Sequence, residues 1–388
     1  MKVQLLENLA QIDAVAWNNL AGDVYPFLRH EFLLALEQSS AVSEKTGWIP
    51  RHLLVLNDGE LCALMPLYLK THSRGEYVFD QQWANAYHQQ GLAYYPKLLT
   101  AIPFTPCQGL RFASKEGLDA ENILRLFLKT IQQLAVQYDI SSWHCLFPNL
   151  AQLDALKSAQ LLVREGVQFQ WFNKNYRHFD DFLQTLSASK RKMIKRERRR
   201  IGEQGVCLHR IQGADISDDD WRVFFQFYVL TYLKKASQPY LNLAFFQQIA
   251  QTMPEQLLLV LAMKDGSPVG AALSFIGKDT FFGRYWGCYE EYNSLHFEAC
   301  YYQGIDYCIE KGLAKFDSGA QGEHKIARGF EPVTTYSAHW IKDPQFAEAI
   351  GQFLDREKSA VALYKNEVAS YLPFKKSFGF PCQNDDEN

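Results

Sequence analysis

No stretch of this 388-residue chain holds the roughly 20 consecutive apolar residues that a membrane-spanning helix needs. The longest clean apolar run, Leu257 to Met263, has the length of a buried strand instead. The opening residues Met1-Lys2-Val3-Gln4-Leu5-Leu6-Glu7 contain no apolar segment of the secretory type, so a cytoplasmic protein without an integral membrane segment is expected. Charge of one sign is also scarce. The 40 Lys and Arg against 43 Asp and Glu leave a formal net charge of −3, so no global field marks a nucleic-acid binder.

Paired cysteines are missing too. Cysteines stand singly at 62, 107, 145, 207, 288, 300, 308 and 382, with no CxxC spacing. In a chain this long they read as reduced, buried thiols of a cytosolic protein rather than a disulfide framework. His296 and Cys300 lie four apart, but no second pair completes a tetrahedral set, and no metal site is expected. There is no GxSxG elbow, Walker loop or dinucleotide fingerprint in its required context, which excludes the corresponding hydrolase, nucleotide-hydrolysing and dehydrogenase readings.

What is present suits a well-packed protein. The apolar share is 47% and aromatics make up 14%, ample for real cores, and the length suggests two or three domains. A weak internal repeat organises them. Leu53 to Leu56, Asp58-Gly59 and Leu61 to Tyr68 read as a hairpin, as do Leu258 to Leu261, Asp265-Gly266 and Val269 to Phe275. Each hairpin is followed by a helix and a strand: Asn122 to Tyr138 then Ser142 to Phe147, and Leu295 to Lys311 then Ala314 to Ser318. Such runs predict α+β domains with mixed sheets flanked by helices. We expect a first domain over 1–170, a second over 171–340 and a C-terminal helical segment over 341–388 packing back on the body. The aromatic series Trp221, Phe225, Tyr228 and Tyr232, after a Ser217-x-x-Asp220 cap, reads as a core-facing helical stripe.

Between the halves, eight of the eleven residues from Lys190 to Arg200 are basic. Phe182, Leu186, Met193 and Ile201 fall near one helical face, so the run predicts an amphipathic cationic helix over 189–201, ended by Gly202. Such a run can be a solvated face. Yet like charges at this density repel unless an anion relieves them, which favours a bound polyanion. The phosphate-binding candidates are Lys190, Arg191, Lys192, Lys195, Arg196, Arg198 and Arg199.

The richest stretch runs from Gly283 to Arg328. It reads strand, helix, strand, with polar groups at the element ends: Arg284, Glu298, Gln321, Glu323, His324, Lys325 and Arg328. Glycines at 319, 322 and 329 allow positive φ or a close approach to a ligand.

Together these segments carry a resemblance. The words are Ala86-Tyr87-His88, Gly91 to Lys97, Pro103-Phe104-Thr105-Pro106, the Ser189 to Arg200 run, Gly283-Arg284-Tyr285-Trp286-Gly287, Leu295-His296-Phe297-Glu298 and Gly319 to Lys325. The chain resembles the bacterial FemAB-like group, a peptidoglycan-biosynthesis recognition family within the GNAT N-acyltransferase superfamily. The resemblance implies two tandem GNAT-like domains. It also implies kinship with Fem-type transferases, which move an amino acid from aminoacyl-tRNA to a peptidoglycan-precursor peptide. One departure stands out. GNAT enzymes cradle the coenzyme A pyrophosphate in a glycine-bearing loop at a helix N-terminus. Here that junction reads Glu290-Glu291-Tyr292-Asn293-Ser294, without glycine and with two carboxylates, which moves weight from acyl-CoA toward aminoacyl-tRNA.

N-acyl transfer needs a base for the amine and a donor for the tetrahedral oxyanion. Glu298, Glu323 and His324 are candidate bases, Arg284, Lys325 and the 319–322 backbone candidate oxyanion or phosphate donors, and Tyr301 or Tyr302 candidate acids for the leaving group. Trp286, Gly319, Gln321, Gly322 and Arg328 complete the expected substrate-binding set. Gly319 to Lys325 should line one cleft that also receives Glu298 and Arg284. No tightly bound cofactor is expected, and the partner is a polyanionic donor or acceptor, either tRNA or a nucleotide-linked precursor. The alternatives are a non-catalytic recognition module for a nucleic acid or cell-wall precursor, and an acyl-CoA-dependent enzyme acting on a small amine.

Overall fold

The computed structural model describes residues 1–320 and 322–375. Gln321 and residues 376–388, with Cys382, lie outside the described residues. Both hairpins form as the Asp-Gly pairs dictate. Asp58 and Gly59 have φ of 51° and 85°, Asp265 and Gly266 of 50° and 75°, the left-handed pair that matches the twist of the flanking strands.

In chain order the strands are β1 (Lys2–Leu6), β2 (Trp48–Pro50), β3 (His52–Asn57), β4 (Glu60–Met65), β5 (Tyr68–Lys70), β6 (Lys97–Thr100), β7 (Ala113–Ser114), β8 (Ser142–Leu146), β9 (Leu162–Phe172), β10 (Val206–Gln212), β11 (Leu257–Lys264), β12 (Ser267–Ile276), β13 (Thr280–Cys288), β14 (Lys315–Asp317) and β15 (Glu331–Ile341). A four-stranded sheet has the order β1-β3-β4-β7, and an eleven-stranded sheet the order β10-β11-β12-β13-β14-β9-β15-β8-β6-β5-β2. The parallel neighbours mark the repeat. In the first half the helix Ala120–Gln137 links β6 to β8, which pair in parallel. In the second half Leu295 to Lys311 links β13 to β14, also in parallel.

The halves then trade strands. β9 follows the first half in sequence but pairs with β14, and β15 follows the second half but pairs with β8. β9 and β15 pair with each other from Glu331↔Gln170 to His339↔Leu162, which joins strands of both halves in the eleven-stranded sheet. The expected division at 170 and 171 therefore falls inside β9.

Packing follows the same logic. The largest core joins Trp17, Phe27 and Phe32 of the N-terminal helices to Phe224, Phe245, Phe246 and Phe275 of the second half. Each such fully buried aromatic contributes on the order of 2 kcal/mol. The helix Asp218–Leu233 opens with the Ser217/Asp220 capping box and lies on β13 so closely that a Cβ on Gly287 would sit 1.9 Å from the Phe227 carbonyl. Its buried face is Trp221, Phe224, Phe227 and Tyr228, with Phe225 and Tyr232 only half-buried, a rotation from the expected stripe. The C-terminal helix Pro344–Ser370 packs across β9 and β15 through Ile350 and Leu354, fastened by the Arg164–Glu357 pair at 2.6 Å. Among the described residues no helix is long and apolar enough to cross a membrane, and the seven described cysteines are all free.

Candidate active site

β13 and β14 pair for only three residues, ending at Phe282↔Asp317. β14 ends there, while β13 runs on to Cys288. At the same place β13 slips register against β12, Leu273 facing Tyr285 and Ser274 facing Gly283, so Arg284 is a bulged residue. Beside the bulge lies a cavity of about 90 Å³ lined by Ser274, Arg284, Trp286, His296, Tyr301 and Ser318. Arg284 is drawn across to the other half, its Nη2 donating to the Phe104 carbonyl at 2.6 Å. Its buried Nε has no hydrogen-bond partner. The linking helix departs from α-geometry at Glu298–Tyr302, a π-helical turn of the kind often found beside functional sites.

A second, larger cleft of about 670 Å³ lies over the β9/β15 pair. Tyr77, Val78 and Phe79 of the first half form one wall, and Ala320, Gly322, Glu323 and His324 form the other. Tyr301 connects the two spaces, because it lines the small cavity while its hydroxyl contacts His324 Nε2 at 2.8 Å. Burial, with the nearby Arg328 and Lys325 cations, lowers the His324 pKa below the ordinary histidine value, so the ring is neutral at pH 7. Gly322, with φ of 102°, gives this ring its room, since a Cβ there would sit 2.8 Å from it.

The expected single cleft is thus two adjoining spaces, and several expected residues face neither. Lys325 is buried, with Nζ donating to the carbonyls of Ser318 (3.1 Å) and Gly319 (2.9 Å); burial lowers its pKa to about 8 against the pull of Asp317. It ties down the turn at Gly319, whose φ is 75° and whose N–H donates to Asp317. Arg328 is also buried. It donates to Glu197 at 2.7 Å and to the His324 carbonyl at 2.8 Å, and its guanidinium lies 3.3 Å over the Phe297 ring. Tyr302 is spent on Glu197, which leaves Tyr301 as the tyrosine in reach of the site. Glu298 is buried in an ion pair with Arg198 at 3.1 Å and accepts from Gln303 at 2.8 Å, so it is neither paired with Arg284 nor open to a ligand. Glu323 does reach the cleft, accepting from Tyr364 at 2.7 Å. Trp286 lines the small cavity and stacks at a tilt against His296, whose pKa burial lowers to about 4. Gln321 is outside the described residues.

The basic helix forms over Ala188–Glu203 and runs past Gly202. Its inner face is Ile194, Glu197 and Ile201, and Arg198 turns the same way to bind Glu298 and Asp306. Lys190 and Arg191 are half-buried. Lys192, Lys195, Arg196 and Arg199 are exposed at i, i+3, i+4 and i+7, a single outward stripe. Lys195 lies 3.4 Å from Asp180, and Arg199 pairs with Glu203 at 2.9 Å. Sequence reasoning missed Glu197, the one acid in the basic run, whose isolation among cations was the available signal.

Comparison with known proteins agrees with this architecture. FemX matches with a TM-score of 0.53 at 12% identity, over 90% of this chain and 100% of the other. The C-terminal domain of an Agrobacterium fabrum protein assigned as a lysylphosphatidylglycerol synthetase matches with a TM-score of 0.53 at 9% identity, over 88% and 96%. A Bacteroides thetaiotaomicron protein of unknown function matches with a TM-score of 0.50 at 10% identity, over 87% and 99%. At these identities the likeness shows the fold alone, large mixed sheets flanked by helices. No curated protein matches the chain. The model of the FemAB-like family, described as peptidoglycan biosynthesis/recognition, matches residues 8–376, and the chain belongs to that family.

Proposed function

We propose that this protein transfers an acyl or aminoacyl group to an amine, with the acceptor in the large cleft and the transferred group in the small cavity. The observation that carries the reading is the Tyr301–His324 hydrogen bond of 2.8 Å between the two spaces. With Nε2 protonated and donating to the tyrosine oxygen, His324 keeps a lone pair on Nδ1 to take a proton from the attacking amine. The Nε2 proton then moves to Tyr301, and the Tyr301 hydroxyl proton goes to the leaving oxygen or sulfur as the acyl–donor bond breaks. The Arg284 Nε–H, unpartnered in the wall of the small cavity, donates to the carbonyl oxygen as it gains charge. Arg328 and Lys325 position this machinery through the His324 carbonyl and the Gly319 turn.

The donor reading favours aminoacyl-tRNA over acyl-CoA. At the junction before Leu295, the Asn293 N–H is taken by Gln204 Oε1 at 2.9 Å and the Leu295 N–H by the Tyr292 carbonyl at 3.1 Å. Those donors are spent where a pyrophosphate would need them, and Glu291 lines the same space. The outward cationic stripe supplies a polyanion contact instead. A peptidoglycan-type precursor is the acceptor we favour. The test offers charged tRNA and acyl-CoA pools with cell-wall precursors. The reading predicts deacylation of charged tRNA that depends on precursor. Consumption of acyl-CoA alone would transfer the proposal to the other donor, and consumption of neither would reject the enzyme in favour of a recognition module.

A further inference from the structure

The outward stripe of the basic helix carries Lys192, Lys195, Arg196 and Arg199, all exposed. Among the described residues, Lys195 has Asp180 at 3.4 Å and Arg199 has Glu203 at 2.9 Å, while Lys192 and Arg196 enter no ion pair. Like charges one turn apart repel, and an anion laid along the stripe relieves them. The chain itself carries such an anion. Asp385-Asp386-Glu387 are consecutive acids, and no basic residue follows Lys376. They lie outside the described residues, so it is their sequence that speaks for the charge. They also lie beyond residue 376, where the family likeness stops, so the shared fold does not account for them.

The chain that leads to these acids is fastened where the basic helix begins. Phe374 forms an antiparallel bridge with Leu186. The Ser187 N–H donates to the Pro373 carbonyl at 2.8 Å, and the Lys375 N–H to the Thr185 carbonyl at 2.9 Å. Ser187 is the residue just before the helix Ala188–Glu203. The antiparallel sense aims the chain at Lys375 back along the short helix Phe179–Thr185, whose Asp180 stands beside Lys195. From Lys375 to Asp385 an extended chain covers up to about 33 Å. Ala188 to Arg199 is about 17 Å of helix, so every cation of the stripe is within reach. Phe378 to Asn384 carry no charge, and nothing on the way competes for the stripe.

We propose that Asp385, Asp386 and Glu387 occupy the cationic stripe of their own chain and gate it, so that an external polyanion binds only by displacing them. A short tether holds the acids at an effective concentration on the order of millimolar. That suffices to cover the stripe at low salt, and it yields to a ligand that brings many phosphates. The inference rests on the reading that the stripe meets a polyanion, and it adds the intramolecular competitor that sets the threshold for that contact.

Two measurements on the full chain test it. In the first, a carbodiimide joins carboxylates to amines in direct contact, in an equal mixture of unlabelled and heavy-nitrogen-labelled protein at low salt. Mass spectrometry reads the joined peptides. The proposal predicts links from Asp385, Asp386 or Glu387 to Lys192 or Lys195 within one isotope, lost at high salt. Links of mixed isotope put the acids on a second copy and overturn the intramolecular contact. No link to either lysine overturns the docking altogether. In the second, a fluorescent single-stranded RNA is the polyanion probe. It is titrated into Asp385→Asn/Asp386→Asn/Glu387→Gln and into a control with the same charge change at exposed acids elsewhere, Glu116→Gln/Asp154→Asn/Asp355→Asn. The first variant should bind roughly three- to tenfold tighter than the control, a gain set by a few exposed ion pairs. Adding Lys192→Ala and Arg196→Ala to both should remove the difference. Equal affinity of variant and control overturns the gate. Links within one isotope, with RNA bound by none of the proteins, would sink the polyanion reading of the stripe while leaving the docking standing.

Discussion

At the level of single residues, the site divides into groups that meet a ligand and groups that hold those groups still. On the proposed reading His324 and Tyr301 belong to the first set, and Lys325, Arg328 and Glu298 to the second. The division was not legible in the sequence, because a Lys or Arg beside glycines reads the same whether its head faces a cavity or a carbonyl. The cluster itself was legible, since polar residues at strand and helix ends are where a fold presents chemistry. The neutral state of His324 gives a testable sign. Its pKa in the fold is lowered, so the base is available at neutral pH and is lost as pH falls through that lowered value. The transfer rate should therefore decline on the acid side below the ordinary histidine value of about 6.5, and Tyr301→Phe should lower the plateau without moving that limb. Stability has the same sign through other histidines. His296 and His339 have pKa values lowered by burial to about 4 and about 3, so the unfolded chain takes up protons first as pH drops below about 6.5. Melting temperature should fall steadily from pH 7 to pH 5; a flat profile would contradict the buried neutral rings.

At the level of elements, the basic helix has two faces, one that holds buried ion pairs and one that we propose meets a polyanion. Periodicity revealed the helix and its charge, but not that Arg198 turns inward or that Glu197 anchors Arg328, because inward ion pairs break the rule that charges face solvent. Two substitutions separate the faces. Arg198→Ala strips Glu298 and Asp306 of their cation and should cost about 1–3 kcal/mol of stability, since the pair is only partly shielded from water. Lys192→Ala with Arg196→Ala should leave the melting temperature nearly unchanged and weaken polyanion binding, with a shallower dependence on salt. The Asp-Gly hairpins were readable because each turn chemistry is local. Gly287 was not, because its constraint comes from a helix far away in sequence. Gly287→Ala should destabilise more than Gly266→Ala, since the first sets a Cβ 1.9 Å from backbone and the second meets nothing within 4 Å, only a strained φ.

At the level of the whole molecule, the duplicated hairpin-helix-strand pattern foretold two similar halves but not their exchange of β9 and β15. Strand partners are chosen by tertiary packing, which leaves no short-range mark. The exchange places the cleft floor on the seam between halves, so the proposed acceptor subsite exists only when both are folded together. Residues 1–170 and 171–388 made separately should each lack stable structure by circular dichroism. If His324, set between cleft and cavity, carries the proton in acyl transfer, its loss must slow the chemical step itself. The most direct test is the single-turnover rate of transfer from charged tRNA to a precursor peptide by the native chain and by His324→Ala. We predict a loss of about a hundred- to ten-thousand-fold at an unchanged melting temperature. A folded His324→Ala protein that transfers at the native rate would contradict it.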